Sequence, residues 1–130
     1  LRIFKIRWFD RFARKEGIDD RDLCKAVARA EQGAIDADLG GGLIKQRVAR
    51  KGAGKRGGYR TIFAYRAGER AVFLYGFAKS AKDDIRPDEL QGFRRLGADA
   101  LAQNDRTIGE LIADGKWIEV HNDREEEEEV

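Results

Sequence analysis

The sequence predicts an α+β fold in which two N-terminal helices pack on a small sheet and C-terminal helices follow it. Three observations predict it. Two short amphipathic helix patterns run back to back between Trp8 and Gly33. A basic strand, a glycine-rich loop and a hairpin of aromatic and β-branched residues then occupy Gly42 to Lys82. Helical spacing returns after Pro87, the only proline.

In chain order, Leu1–Ile6 alternates weakly and is a short strand candidate. Trp8, Phe9, Phe12 and Ala13 form one helix face that ends near Gly17. No Ser, Thr, Asp or Asn precedes Trp8, so this helix should begin without a side-chain cap. Asp19 or Asp20 caps the next helix, acids crowd its positive end, and Leu23, Val27 and Ala30 form its stripe as far as Gly33. Ile35–Gly42 reads as a connector whose Gly40, Gly41 and Gly42 mark a turn or a close backbone approach. Leu43–Lys51 is a strand with Lys45 and Arg47 on one face and Ile44, Gln46, Val48 and Arg50 on the other. Lys51–Gly58 holds four glycines and three cations and reads as a loop.

Tyr59–Arg66 and Arg70–Ala78 form a hairpin about Ala67-Gly68-Glu69. Both faces are apolar: Thr61, Phe63 and Tyr65 against Ile62 and Ala64, then Phe73, Tyr75 and Phe77 against Val72 and Leu74. Central strands covered on both sides look like this. Pro87 opens a helix faced by Leu90, Phe93, Leu96, Ala100 and Leu101, running through Gln103. After the interruption at Asn104–Asp105, Thr107 to Glu110 is a possible capping box for a last helix faced by Ile108, Leu111 and Ile112. Trp117–Val120 suits an edge strand. Residues 1–120 thus read as one domain, and 121–130, mostly glutamate, as a solvated acidic tail.

A chain of 130 residues buries about two-thirds of its unfolded surface, enough to fold without a disulfide or metal staple. One cysteine, Cys24, and one histidine, His121, make neither an internal disulfide nor a structural zinc site. Cysteine usage fits a reduced, cytoplasmic compartment. No apolar run reaches the length of a membrane span, and Leu1–Phe12 carries Arg and Asp where a signal peptide is apolar. The net charge of +2 hides an asymmetry, because Gly40–Lys82 carries eleven basic residues against one acid, Glu69. A sheet with that field calls for a polyanion.

The glycines of the basic loop lie within a hairpin rather than at a strand-to-helix turn, so they form neither a P-loop nor a dinucleotide fingerprint. The basic stretch has no acidic cluster to hold two magnesium ions. A route that needs no metal exists for RNA, whose 2′-hydroxyl attacks its own phosphate. The protein must then help move protons and stabilise the charge that builds at phosphorus, a task suited to Arg and Lys. Lys45, Arg47, Arg60, Lys79 and Lys82 are the right kind of tool. A lysine flanked by cations can also lose its proton, although a lysine that only lends charge is the commoner case. Arg50, Lys51, Lys55, Arg56 and Tyr59 are candidate RNA contacts around the loop. Tyr59, Tyr65 and Tyr75, all at odd positions in adjacent strands, suit base stacking or, more commonly, core packing. Cys24 reads as a small buried hydrophobe.

The stretch GGLIKQRVAR…GKRGGYRTIFAYRAGERAVFLYGFAKSAKDDI, with the opening RWFDRFARKEGI, resembles the RelE/ParE superfamily of bacterial toxins, in its RelE-like branch. The resemblance covers nearly all of Leu1–Ala102. It implies two N-terminal helices against a small, twisted, mostly antiparallel sheet, a C-terminal helix, and the toxin role in a type II toxin–antitoxin pair. It also implies metal-independent cleavage of mRNA at the ribosome, no cofactor, and neutralisation by a cognate antitoxin. Arg60 matches the arginine that contacts the scissile phosphate. Lys45 and Arg47 match basic residues of the preceding strand, and Lys79 matches the one that ends the last strand, with Lys82 close behind as the candidate for proton transfer. The chain departs from the pattern at Ser80, where an arginine is expected, and in lacking a tyrosine within Ser80–Leu90. ParE-like members act on gyrase without a catalytic set, so a non-catalytic gyrase inhibitor and a plain RNA-binding module stay open as alternatives.

Overall fold

The computed structural model describes residues 1–49, 58–82 and 84–121. Its elements are β1 (Arg2–Ile6), α1 (Arg7–Glu16), α2 (Asp20–Glu31), β2 (Ala37–Gly40), β3 (Leu43–Val48), β4 (Tyr59–Arg66), β5 (Arg70–Ala78), α3 (Pro87–Ala102), α4 (Asp105–Ala113) and β6 (Trp117–Val120). One sheet holds the strands in the order β2-β3-β4-β5-β1-β6. Neighbours are antiparallel except β1 and β5, which run parallel. This is the α+β architecture the sequence predicts.

The two helix layers follow from the two apolar faces of the sheet. Phe9 and Ala13 of α1 and Leu23, Val27 and Ala30 of α2 close over Ile3, Ile44, Val48, Phe63 and Phe73. Ala100 and Leu101 of α3 and Ile108 of α4 close over Phe4, Leu43, Ile62, Ala64, Val72 and Leu74. α3 comes close because Gly97 has no side chain. A Cβ there would stand 3.3 Å from Leu43 Cδ1 and 3.5 Å from Ala64 Cβ. Buried Lys5 ties β1 to both N-terminal helices, with its ammonium 3.0 Å from Asp10 and 3.1 Å from Asp20.

Helix ends obey local chemistry. α1 begins at Ile6 with no side-chain cap, as expected. Asp19 and Asp22 cap α2 reciprocally, each carboxylate accepting from the other's backbone N–H. α4 starts earlier than the Thr107 box predicts. Asn104 is extended and accepts from Thr107 N at 2.9 Å, so Asn104 is the cap and Thr107 its reciprocal partner.

Three further expectations are corrected. The Ile35–Gly42 connector contains a strand, β2, because Gly40, Gly41 and Gly42 all take positive φ and turn the chain back on itself. Leu96 points outward at 38% exposure, and Gly97 takes its place against the sheet. The faces of β5 also do not alternate throughout. Ile62 pairs with Tyr75 but Phe63 pairs with Phe73, so Leu74 is an extra, bulged residue. Phe73 therefore packs toward α1 and α2, while Tyr75 packs with the α3 layer.

Candidate functional site

Strand register brings the predicted cations together. Lys45 and Arg47 share the face of Leu43, which lies under α3. Arg60 shares the face of Ile62 and Ala64. Arg47 and Arg60 are direct cross-strand partners, and Lys45 pairs with Ile62 two residues along. The bulge at Leu74 sets Tyr75 opposite Ile62 and Phe77 opposite Arg60. Lys79 lies just beyond β5 and is exposed, its backbone N–H donating to Gly58 O. Lys45, Arg47 and Arg60 thus share one face, at the end of the sheet where α3 begins.

The main chain of Arg47 is held from outside the sheet. Asp36 Oδ2 accepts from Arg47 N at 2.7 Å, and Arg29 donates to Arg47 O at 3.2 Å. Arg29 and Asp36 are themselves paired at 3.0 Å. This ion pair replaces a strand neighbour at the point where β2 has ended. Gln46, fully buried, completes the anchor. Its amide donates to Ala26 O and Ala34 O and accepts from Asp36 N. The sequence signal for this anchor is a glutamine, Gln46, at an inward-facing position of β3 between Ile44 and Val48.

Carboxylates also enter the site, from outside the basic stretch of the sequence. They arrive from the segment after β5. Asp84 pairs with Lys45 at 3.1 Å, and Glu89, in the first turn of α3, grips Lys82 through both oxygens at 2.6 and 2.8 Å. The Asp84 carboxyl is held below its usual range, first by the Ile85 backbone N–H and then by Lys45. The Glu89 carboxyl is likewise lowered, first by the Arg86 N–H and then by Lys82. Lys82 is pushed up by its hydrogen bond to Glu89, the opposite of what proton abstraction by a lysine requires. Lys82 is a held ammonium, 5.6 Å above the Tyr75 ring.

Tyr59 is corrected as an RNA contact. It is 2% exposed, on the α1 and α2 face opposite Arg60, and its hydroxyl donates to Glu16 O. The three tyrosines do not share a face either. Tyr65 packs with the α1 and α2 layer and bonds Glu31, with burial and that carboxylate pushing its phenol up to about 12. Only Tyr75 stands on the cation face. Arg50, Lys51, Lys55 and Arg56 lie outside the described residues. Among the described residues, no group of three or more His, Cys, Asp or Glu side chains could hold a metal ion.

A search of curated proteins gives no match. The family described as "RelE toxin of RelE / RelB toxin-antitoxin system" matches residues 1–120, which takes in every described element. With a six-stranded sheet between two helix layers and paired arginines on one face, the chain belongs to the RelE family of toxins of toxin–antitoxin systems.

Proposed function

We propose that this toxin inhibits translation by metal-independent endonucleolytic cleavage of mRNA, in association with the ribosome. The observation that carries the reading is the cross-strand pair Arg47–Arg60 with Lys45 beside it on one face. In the reaction, the 2′-oxygen bonds to phosphorus as the bond from phosphorus to the 5′-oxygen breaks. The 2′-hydroxyl gives up its proton, and the departing 5′-oxygen gains one. A cyclic phosphate and a 5′-hydroxyl result.

Extra negative charge builds on the non-bridging oxygens. Arg60 and Arg47 can each hold two such oxygens, and Lys45 adds a point charge. Lys79 and Lys82 extend the positive rim along the strand that would carry the next phosphate. Lys82 lends charge, since Glu89 keeps it protonated. Family membership implies a cognate antitoxin as the neutralising partner.

Cleavage of ribosome-bound message in the presence of chelator tests this. Arg60→Ala, with an unchanged melting temperature, should lower the rate by about 10²–10³. Intact message together with lost DNA supercoiling would point instead to a gyrase inhibitor. Binding of message without cleavage would leave a non-enzymatic RNA-binding module.

A further inference from the structure

The cation face ends on a row of aromatic rings that phosphate binding does not use. Trp8 lies in the first turn of α1, immediately after β1 stops, and is 47% exposed. Its indole stacks on Phe12 at 5.6 Å and on Tyr75 at 4.9 Å. Tyr75 in turn stacks on Phe93 of α3 at 4.8 Å. The row therefore crosses from α1 over β5 to α3, and Trp8, between Phe12 and Tyr75, is its solvent-exposed member. The other tryptophan, Trp117, is 6% exposed and packs in the core.

We propose that Trp8, backed by Tyr75, is a stacking site for one unpaired nucleobase of the RNA strand whose phosphates lie on Lys45, Arg47 and Arg60. The proposal rests on the reading of RNA as the ligand and adds to it a place for a base. Three features favour a base over an apolar protein side chain. Tyr75 lies one strand over and two residues along from Arg60, about 8 Å on sheet spacing, so a base and its own phosphate can reach both positions. The Lys82 ammonium, held by Glu89, stands 5.6 Å above the Tyr75 ring, so the row borders a polar edge that suits a flat, polar base better than an aliphatic side chain. Stacking on an indole is indifferent to which base is present, as a cutter of varied message requires.

The test uses the full chain and a 2′-O-methyl oligonucleotide, which cannot be cleaved, in base-bearing and abasic forms. The base-bearing strand should quench tryptophan emission in the wild type and not in Trp8→Phe. Trp8→Ala should weaken that strand by about tenfold. Trp8→Phe should restore most of the affinity. The abasic strand should bind wild type and Trp8→Ala alike, with the same salt slope, because the phosphate contacts are untouched. Circular dichroism and the melting temperature establish that each variant is folded.

The proposal is overturned if the strand binds in an Arg60-dependent manner yet Trp8→Ala binds it as well as the wild type does. It is also overturned if Trp8→Ala weakens both forms of the strand equally. If the wild type binds neither form, the RNA reading itself has failed. In that case, loss of antitoxin binding by Trp8→Ala would assign the ring row to the protein partner.

Discussion

Glu89 shows how one side chain can set the state of another. Its Oε1 accepts from Arg86 N at the start of α3, and its carboxylate closes on Lys82. The carboxyl is lowered relative to the unfolded chain, so its stabilisation is present above the usual carboxylate range and is lost as pH falls through the depressed value. Lys82 is raised, so its share is complete below about 10.4 and is lost as pH climbs through the higher folded value. The stability difference between wild type and Glu89→Gln should therefore be flat near neutrality and shrink toward acid below about pH 4. Urea melts across pH check this, and a difference that persists unchanged at pH 2 would contradict it.

Asp84 makes a second residue-scale prediction, because it pairs with Lys45, a residue of the proposed phosphate site. Asp84→Asn should bind the uncleavable strand more tightly than Asp88→Asn, which removes the same charge from a carboxylate paired with Arg86 instead. Equal affinities in a filter-binding titration would show that Asp84 acts only through net charge.

At the scale of elements, β3 is positioned by polar groups that no periodicity announces. Gln46 is buried with all its polar atoms satisfied by α2 and the chain leading to β2. Gln46→Leu removes the hydrogen bonds to Ala26 O, Ala34 O and Asp36 N, each worth about 0.5–1.5 kcal/mol. We expect a loss of at least ~2 kcal/mol in chemical denaturation, and a variant as stable as wild type would refute the anchor. Gly76 fixes α1 against β5 in a different way. A Cβ there would stand 2.5 Å from Phe12 Cε1, so Gly76→Ala should displace Phe12 and cost about 1–3 kcal/mol. The strand identities of β3, β4 and β5 were legible because residue types and alternation repeat over many positions. The bulge at Leu74 was not, since one inserted residue leaves composition unchanged while reversing every side chain after it. That reversal puts Tyr75, and not Tyr59 or Tyr65, beside the cations.

Across the whole molecule, the basic stretch divides between two tasks. Arg66 and buried Arg70 turn to the far end of α3 and donate to Leu101 O, with Arg70 also reaching Ala100 O. These are carbonyls that a helix end leaves without partners. Lys45, Arg47 and Arg60 lie at the opposite end of the same helix layer. Arg70→Ala should therefore lower stability by about 1–3 kcal/mol and leave oligonucleotide affinity unchanged, whereas Arg60→Ala should do the reverse. Paired melts and binding titrations read both effects, and coupled losses in both variants would mean that the two ends are not independent.

The sequence by itself determined the order of elements apart from β2, the two apolar faces of the hairpin and the concentration of cations on β3 to β5. Each of these is a local pattern repeated often enough to outweigh exceptions. Only the tertiary structure decided which cations meet a carboxylate, which tyrosine reaches the site and which arginines serve a helix end instead. Those outcomes depend on residues far apart in the chain, such as Lys45 and Asp84, and on a register shift of a single residue. Contacts of that kind arise from how layers pack, and neither spacing nor composition records them.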